Sequence, residues 1–272
     1  MKIEEKFLEG KGVLITGGAS GFGRAVAYAF TEIGAELVLV DINEDLLHET
    51  TKKIEKETNK KVIPIGCDVS DSKQVKKMTE QAFSELDNVF ILFNNAGTGP
   101  SYGVDILKVG EKAWDLTMNI NLKGQWLVDK FTSRKMNRQK FEPLKGKIIH
   151  TTSIAGKVVD PLLPVYSLSK IGVIGLTQLV AKSLAPHITS NAIAPGFHAT
   201  GVYGNREDIM IQTMKDGNVK TPLNRVGTVE DVVNLMIFLA SPRSDFITGH
   251  TFPIDGGIAE VGVPPNILKS DI

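Results

Sequence analysis

The chain is poor in cysteine, in net charge and in long apolar runs, and each shortage removes a class of function. Cys67 is the one cysteine in 272 residues. An internal disulfide and a cysteine-built zinc site are therefore excluded. Lys plus Arg and Asp plus Glu both number 31, so the formal net charge is zero at pH 7. That balance offers no electrostatic footprint for nucleic acid or for an anionic membrane surface. No uncharged apolar run approaches the ~20 residues that a membrane span needs. The N-terminal stretch from Met1 to Lys11 mixes Lys and Glu and has no apolar segment, so no secretory signal is visible. No spacing of His, Asp and Glu suggests a metal site. The expectation is a cytoplasmic protein with no metal, no nucleic-acid partner and no membrane anchor.

What the chain does have is alternation. Short apolar runs recur at 13–15, 37–40, 61–66, 89–93, 148–149, 188–194 and 251–254. Between them lie helical patterns at about 22–33, 43–57, 72–86, 111–138, 164–184 and 229–239, the fourth broken near Asn119–Leu122. Residues 197–220 are polar and lack a clear period. Strands alternating with helices imply right-handed crossovers and a parallel sheet covered on both faces. The predicted fold is α/β, a Rossmann-type doubly wound parallel sheet of about seven strands. No linker, repeat or low-complexity run divides the chain, so residues 1–272 are expected to form a single domain with its core at about 10–258.

In such sheets ligands bind beyond the carboxyl ends of the strands, where strand order reverses. Each apolar run ends in chemically useful residues. The first ends in Thr16-Gly17-Gly18-Ala19-Ser20-Gly21-Phe22-Gly23. Glycines there let backbone approach a pyrophosphate, and the next helix presents free N–H groups. Asp41 closes the second run, 20 residues after Gly21. An acid at that point accepts hydrogen bonds from both ribose hydroxyls and repels a 2′-phosphate, which favours NAD over NADP. The lesser alternative is that it simply caps the helix that begins near Asn43. Asp68 can reach an adenine amino group, or can simply serve a turn. Asn94-Asn95-Ala96-Gly97 is a turn by composition and forms a plausible wall of the same cleft.

Ser153 follows the fifth run, Tyr166 comes thirteen residues later and Lys170 four after that. On a helix, i and i+4 share a face. A nearby cation favours a phenolate, which makes a tyrosine usable as an acid/base closer to neutral pH. The pair alone is weak: with 4 Tyr and 31 Lys plus Arg, such a spacing arises by chance about half the time. Cys67 reads as a small buried residue, and His150 as a packed one. A Ser–His–Asp hydrolase fits poorly, because Ser153 is not in a GxSxG elbow.

Taken together, the glycine turn at 16–23, Asp41, Asp68-Val69, Asn94 to Gly97, Asn121 with Gly124, Ser153, Tyr166 with Lys170, and Asn191 to Gly196 resemble the short-chain dehydrogenase/reductase family in its compact form. The resemblance spans about 10–258. It implies that Tyr166 is the general acid/base, that Lys170 tunes it, and that Ser153 holds the substrate oxygen. Asn121 would position a water-linked proton relay, with Asn119 as a rival two residues earlier. The implied cofactor is NAD, held by Gly17, Ser20, Gly21, Phe22, Gly23, Asp41, Ile42, Asp68, Val69, Asn95, Ala96, Gly97, Tyr166, Lys170, Pro195, Gly196, His198 and Thr200. His198 departs from the family, which usually has an aliphatic residue there, and it is a candidate for the substrate pocket.

The rest of that pocket would come from Thr98 to Asp105, from Ile154 to Val165 and from 197–220. Val158, Val159 and Leu162 mix there with Asp160, Tyr203, Asn205 and Arg206. The expected reaction interconverts a secondary alcohol and a ketone, on a polyol, sugar or sugar acid. A hydroxysteroid or 3-hydroxyacyl thioester is the alternative substrate, and an NAD(H)-sensing binding protein is the non-enzyme alternative. An epimerase or dehydratase of the same family would need a longer chain and a TGxxGxxG turn. The resemblance also implies a homo-oligomer, dimer or tetramer, built on helices near 122–138 and 165–184.

Overall fold

The seven apolar runs are seven strands of one parallel sheet. In the computed structural model, which describes residues 6–99, 101–198 and 207–263, they are β1 (Gly12–Thr16), β2 (Glu36–Asp41), β3 (Val62–Gly66), β4 (Ile91–Asn94), β5 (Gly146–Thr151), β6 (Ile188–Pro195) and β7 (Thr251–Ile254). Their spatial order is β3-β2-β1-β4-β5-β6-β7. Val13 pairs with Leu37 on one side and Ile91 on the other, and Lys147 pairs with Ile91 and Thr189. Chain order therefore reverses between β1 and β4, and a crevice opens there.

Side chains alternate across the sheet because a strand has a period of two. Val13, Ile15, Leu37, Leu39, Ile91 and Phe93 face one layer, where α1 (Gly21–Glu32), α2 (Glu44–Thr58) and α8 (Val229–Ala240) bring Val26, Phe30, Leu47, Ile54 and Met236. Leu14, Val38, Val40, Leu92 and Ile148 face the other. There α3 (Ser72–Glu85), α5 (Gln125–Met136) and α6 (Pro164–Leu184) supply Val75, Met78, Leu127, Val128 and Leu184. Each large apolar side chain so buried contributes about 1.5–3 kcal/mol.

Local signals set the boundaries. Asp71 accepts from the Lys73 and Gln74 N–H groups and starts α3. Thr228 and Asp231 form a capping box at α8. Pro164 opens α6 at its first turn, where a missing N–H is harmless. The expected break in the 111–138 helix is a π-helical turn, Asn119–Gly124, between α4 (Glu111–Met118) and α5. The stretch 197–220, polar and without a clear period, is not all loop: Glu207–Lys220 is a helix, α7. Ile211, Met214 and Val219 on it are exposed, so no core face imposed a periodic pattern. A short helix, α9 (Ile258–Val261), was not foreseen either.

Candidate active site

The crevice is a cleft of about 580 Å³. Its walls come from the ends of β1, β2, β4, β5 and β6, and from α6 and α9. Among the described residues no group of three His, Cys, Asp or Glu could hold a metal, and no helix is long and apolar enough to cross a membrane.

One end is a cradle built by glycine. Gly17 has φ +66°, a conformation that side chains resist, and a Cβ there would sit 3.0 Å from Ala96 Cα. A Cβ on Gly23 would fall 2.1 Å from the Gly17 carbonyl oxygen, so α1 can leave the turn at this angle only with glycine. Ser20 is the N-cap of α1 but its hydroxyl does not cap the helix. The first N–H groups of α1 thus face the cleft as a site for anionic oxygens. Asp41 lines the same end. Its Oδ2 accepts the Ala19 N–H (3.1 Å) and its Oδ1 the Asn43 N–H (3.1 Å). The carboxylate is fixed by the glycine turn as well as by the helix start, where Asn43 itself is the cap. These features fit a dinucleotide: a turn cleared of Cβ atoms, a helix N-terminus, and an oriented carboxylate for ribose hydroxyls.

The other end carries the proton-transfer groups. Tyr166 and Lys170 stand one turn apart on α6, with the Lys170 Nζ 5.4 Å from the Tyr166 ring centroid. Nζ donates to the Thr151 carbonyl at the tip of β5 (2.8 Å). Burial drives the Lys170 pKa down to about 7, since charge is costly away from water. A buried ammonium gains from an anion beside it, so a phenolate on Tyr166 is favoured when Lys170 is charged. Ser153 follows β5; its Oγ accepts the Ala155 N–H (3.1 Å) and makes only a long contact to the Pro195 carbonyl (3.5 Å). That hydroxyl proton can be redirected to a substrate oxygen. Asn121 lies in the π turn, fully buried. Its side chain clasps Thr98 N–H (2.8 Å) and C=O (2.9 Å) and donates to Ser169 Oγ (3.0 Å). A Cβ on Gly97 would touch both Asn121 Oδ1 (3.4 Å) and Lys170 Nζ (3.5 Å), so glycine leaves the space between these two groups open.

Beneath the cleft a buried polar chain joins the two ends. His150 Nε2 meets Asp129 Oδ2 (2.8 Å), and Asp129 Oδ1 accepts from Asn94 Nδ2 (3.0 Å). Thr16 donates to Asn94 Oδ1 (3.3 Å) and accepts the Asn95 and Ala96 N–H groups. Asn95 in turn donates to the Thr16 and Gly17 carbonyls and accepts from Thr151 Oγ1 (2.9 Å).

Most expected cofactor residues line the cleft: Gly17, Ser20, Gly21, Phe22, Asp41, Asn95, Ala96, Gly97, Tyr166, Lys170, Pro195, Gly196 and His198. Gly23 and Asn121 act one layer behind. Asp68, Val69 and Ile42 are not cleft-lining. Asp68 Oδ1 accepts from Ser70 N–H (2.8 Å) and Oγ (2.7 Å) within a local turn. Val69 is buried against Gly124, and Ile42 is 69% exposed. Thr200, Tyr203, Asn205 and Arg206 lie outside the described residues. His198 is packed against Gly227 and edge-on to Phe22 (5.3 Å). Its pKa is lowered, chiefly by burial, and its Nδ1 meets the Gly196 carbonyl (3.2 Å). Cys67 is buried with its thiol pushed up to about 12, chiefly by burial, so it is inert as a nucleophile. Lys220 lines the cleft as the pocket assignment of 197–220 expected, whereas Thr151, Ile258 and Val263 also line it and were missed. Thr151 acts through its carbonyl, and the others sit far along the chain without a motif.

A family model described as enoyl-(acyl carrier protein) reductase matches residues 17–259. A 3-oxoacyl-[acyl-carrier-protein] reductase of Thermotoga maritima is 35% identical over 252 residues, covering 92% of this chain and 98% of that one. A diacetyl reductase, (S)-acetoin forming, of Staphylococcus epidermidis is 34% identical, covering 91% and 98%. Among solved structures, an NAD+-bound xylitol dehydrogenase superimposes with a TM-score of 0.83 at 27% identity, covering 92% and 99%.

Proposed function

Because the chain belongs to the short-chain dehydrogenase/reductase family and is an oxidoreductase of CH–OH groups, we propose that it interconverts a small secondary alcohol and its ketone using NAD rather than NADP. The observation that carries the reading is the Tyr166–Lys170 pair beside Ser153 in one cleft. When bound, the nicotinamide supplies or accepts the hydride. The chain's own residues do the rest. Ser153 Oγ donates to the substrate oxygen and holds it at Tyr166. The Tyr166 hydroxyl gives up its proton to that oxygen in reduction and takes it back in oxidation. Lys170, held by the Thr151 carbonyl, offsets the phenolate charge. Asn121 sets the depth of the Thr98 loop over the same space.

Preference for NAD rests on Asp41, whose two oxygens are already oriented by Ala19 and Asn43. A 2′-phosphate brought to that carboxylate meets like charge. The substrate wall mixes Val158, Val159, Leu163 and Phe197 with Asp160, which suits a polyol, sugar or sugar acid over a hydroxysteroid or 3-hydroxyacyl thioester. Occupancy of all four catalytic positions speaks against a purely NAD(H)-sensing protein. Trp126 on α5 and Ile171 and Leu179 on α6 are exposed, which supports a homo-oligomer that light scattering would detect.

The test is an NAD-linked screen, followed by NADH absorbance, over polyols, sugars, sugar acids, hydroxysteroids and hydroxyacyl thioesters. Tyr166→Phe should abolish turnover by orders of magnitude and keep NADH binding; full turnover in that variant would sink the mechanism. NAD should exceed NADP in kcat/KM, and Asp41→Ala should narrow the gap by about tenfold or more. Equal use of both cofactors by the parent removes the Asp41 argument.

A further inference from the structure

Resting on the oxidoreductase reading above, we propose that Asp160 makes the substrate end of the cleft selective for an uncharged alcohol or ketone over an anionic one. Asp160 lies midway between Ser153 and Tyr166 and lines the cleft. Its backbone is tied to the catalytic helix. The Asp160 N–H donates to Ser167 Oγ (3.2 Å), and the Asp160 carbonyl accepts from Ser167 Oγ (3.4 Å) and from Leu163 N–H (3.0 Å). Ser167 directly follows Tyr166, so the backbone that carries this carboxylate is anchored to the first turn of the helix that carries the reacting hydroxyl. The Leu162 N–H donates to its Oδ1 (2.9 Å). A carboxylate has about four acceptor sites, so capacity remains for a substrate hydroxyl.

Among the described residues the cations around it are already engaged. Lys220, which also lines the cleft, pairs with Asp216 at 2.8 Å. Lys157, on the same connector, pairs with Glu260. Asp41 belongs to the cradle end, and Lys170 is occupied with the Thr151 carbonyl at the catalytic centre. Asp160 enters no ion pair among the described residues. Its neighbours on the wall, Val158, Val159 and Leu163, are apolar and offer an entering anion no cation to offset that charge. A second carboxylate or a phosphate entering this end is repelled, whereas a hydroxyl is accepted. Discrimination of this kind works by penalising the wrong ligand. Of the substrates proposed above, it retains the polyols and sugars and removes the sugar acids.

A matched pair of ketones tests this, acetoacetate and its methyl ester, differing by one charge at nearly constant shape. Each is measured with NADH as a substrate or as a competitive inhibitor of the best substrate in the screen. The parent should prefer the ester by about tenfold or more. Asp160→Asn keeps the acceptor for Leu162 N–H and removes the charge. It should narrow that ratio severalfold, through tighter binding of acetoacetate, with an unchanged melting temperature. Asp160→Lys should invert the ratio. A parent that favours acetoacetate, or an Asp160→Asn ratio equal to the parent's, overturns the proposal while leaving the oxidoreductase reading standing. Absence of turnover across the whole screen, with either nicotinamide cofactor, sinks both.

Discussion

Lys170 is the residue whose ionisation ties stability to chemistry. Its pKa falls from the reference 10.5 to about 7 on folding. Below about pH 7 both folded and unfolded chains carry the proton, and the folded state bears the full cost of a buried charge. Between 7 and 10.5 the unfolded chain holds a proton that the folded one has released, so this contribution to stability rises with pH through that window. Lys170→Met removes the cost. The ligand-free variant should be more stable than the parent at acid pH, with the gain shrinking by up to about 5 kcal/mol as pH passes through the window. Denaturant titrations across pH read this directly, and a pH-independent difference would contradict it. The pairing of Tyr166 with Lys170 was legible in the sequence because i and i+4 spacing is a geometric fact. The Thr151 carbonyl that holds Lys170 was not, since a backbone acceptor leaves no trace in residue type. Asp68 shows two readings that coexist: its Oδ1 holds a local turn through Ser70, and a carboxylate's remaining acceptor sites leave the adenine contact open to it.

At the scale of elements, glycine decides how closely two segments may approach. The turn after β1 and the start of α1 touch through Gly17 and Gly23. Gly23→Ala would put a methyl group 2.1 Å from a carbonyl oxygen, and neither backbone can yield without opening the cradle. NADH affinity should fall by about tenfold or more, with a loss of stability of about 1–3 kcal/mol. NADH fluorescence titration and thermal melting measure the two, and parental affinity in this variant would refute the fit. Elements with a buried face were readable from their period: all seven strands, and α1 with Phe22, Val26 and Phe30 on one side. α7 was not readable, because its exposed Ile211, Met214 and Val219 carry no amphipathic pattern. The π turn was visible only as a break, where Asn119 and Asn121 interrupt an otherwise continuous helix.

At the scale of the whole molecule, a buried lysine below the sheet, at the strand ends opposite the cleft, holds the end of α8 to β5. Lys147 on β5 reaches past the sheet to Asp245 (2.6 Å), the Ser241 carbonyl (2.6 Å) and Ser244 Oγ (2.8 Å), which follow α8. Burial lowers its pKa, and Asp245 opposes that shift. Lys147→Met leaves Asp245 partly exposed, so the loss should be near 2 kcal/mol, below the cost of an orphaned interior charge. Because this tether lies away from the cleft, kcat should be unaltered; a matching fall in kcat would show that the start of β5 and the site are coupled. Topology was legible from strand and helix alternation. The Asp129–His150 pair was not, because its partners lie 21 residues apart and meet only after α5 packs on β5. The polar chain beneath the cleft has a consequence in time. Asn95 joins residues 78 positions earlier and 56 later, so neither half of the chain contains a working site. Loop closure over such separations is slow compared with helix formation. During refolding the helical signal should return before the capacity to bind NADH, and the enzyme is born inactive until its middle strands have met.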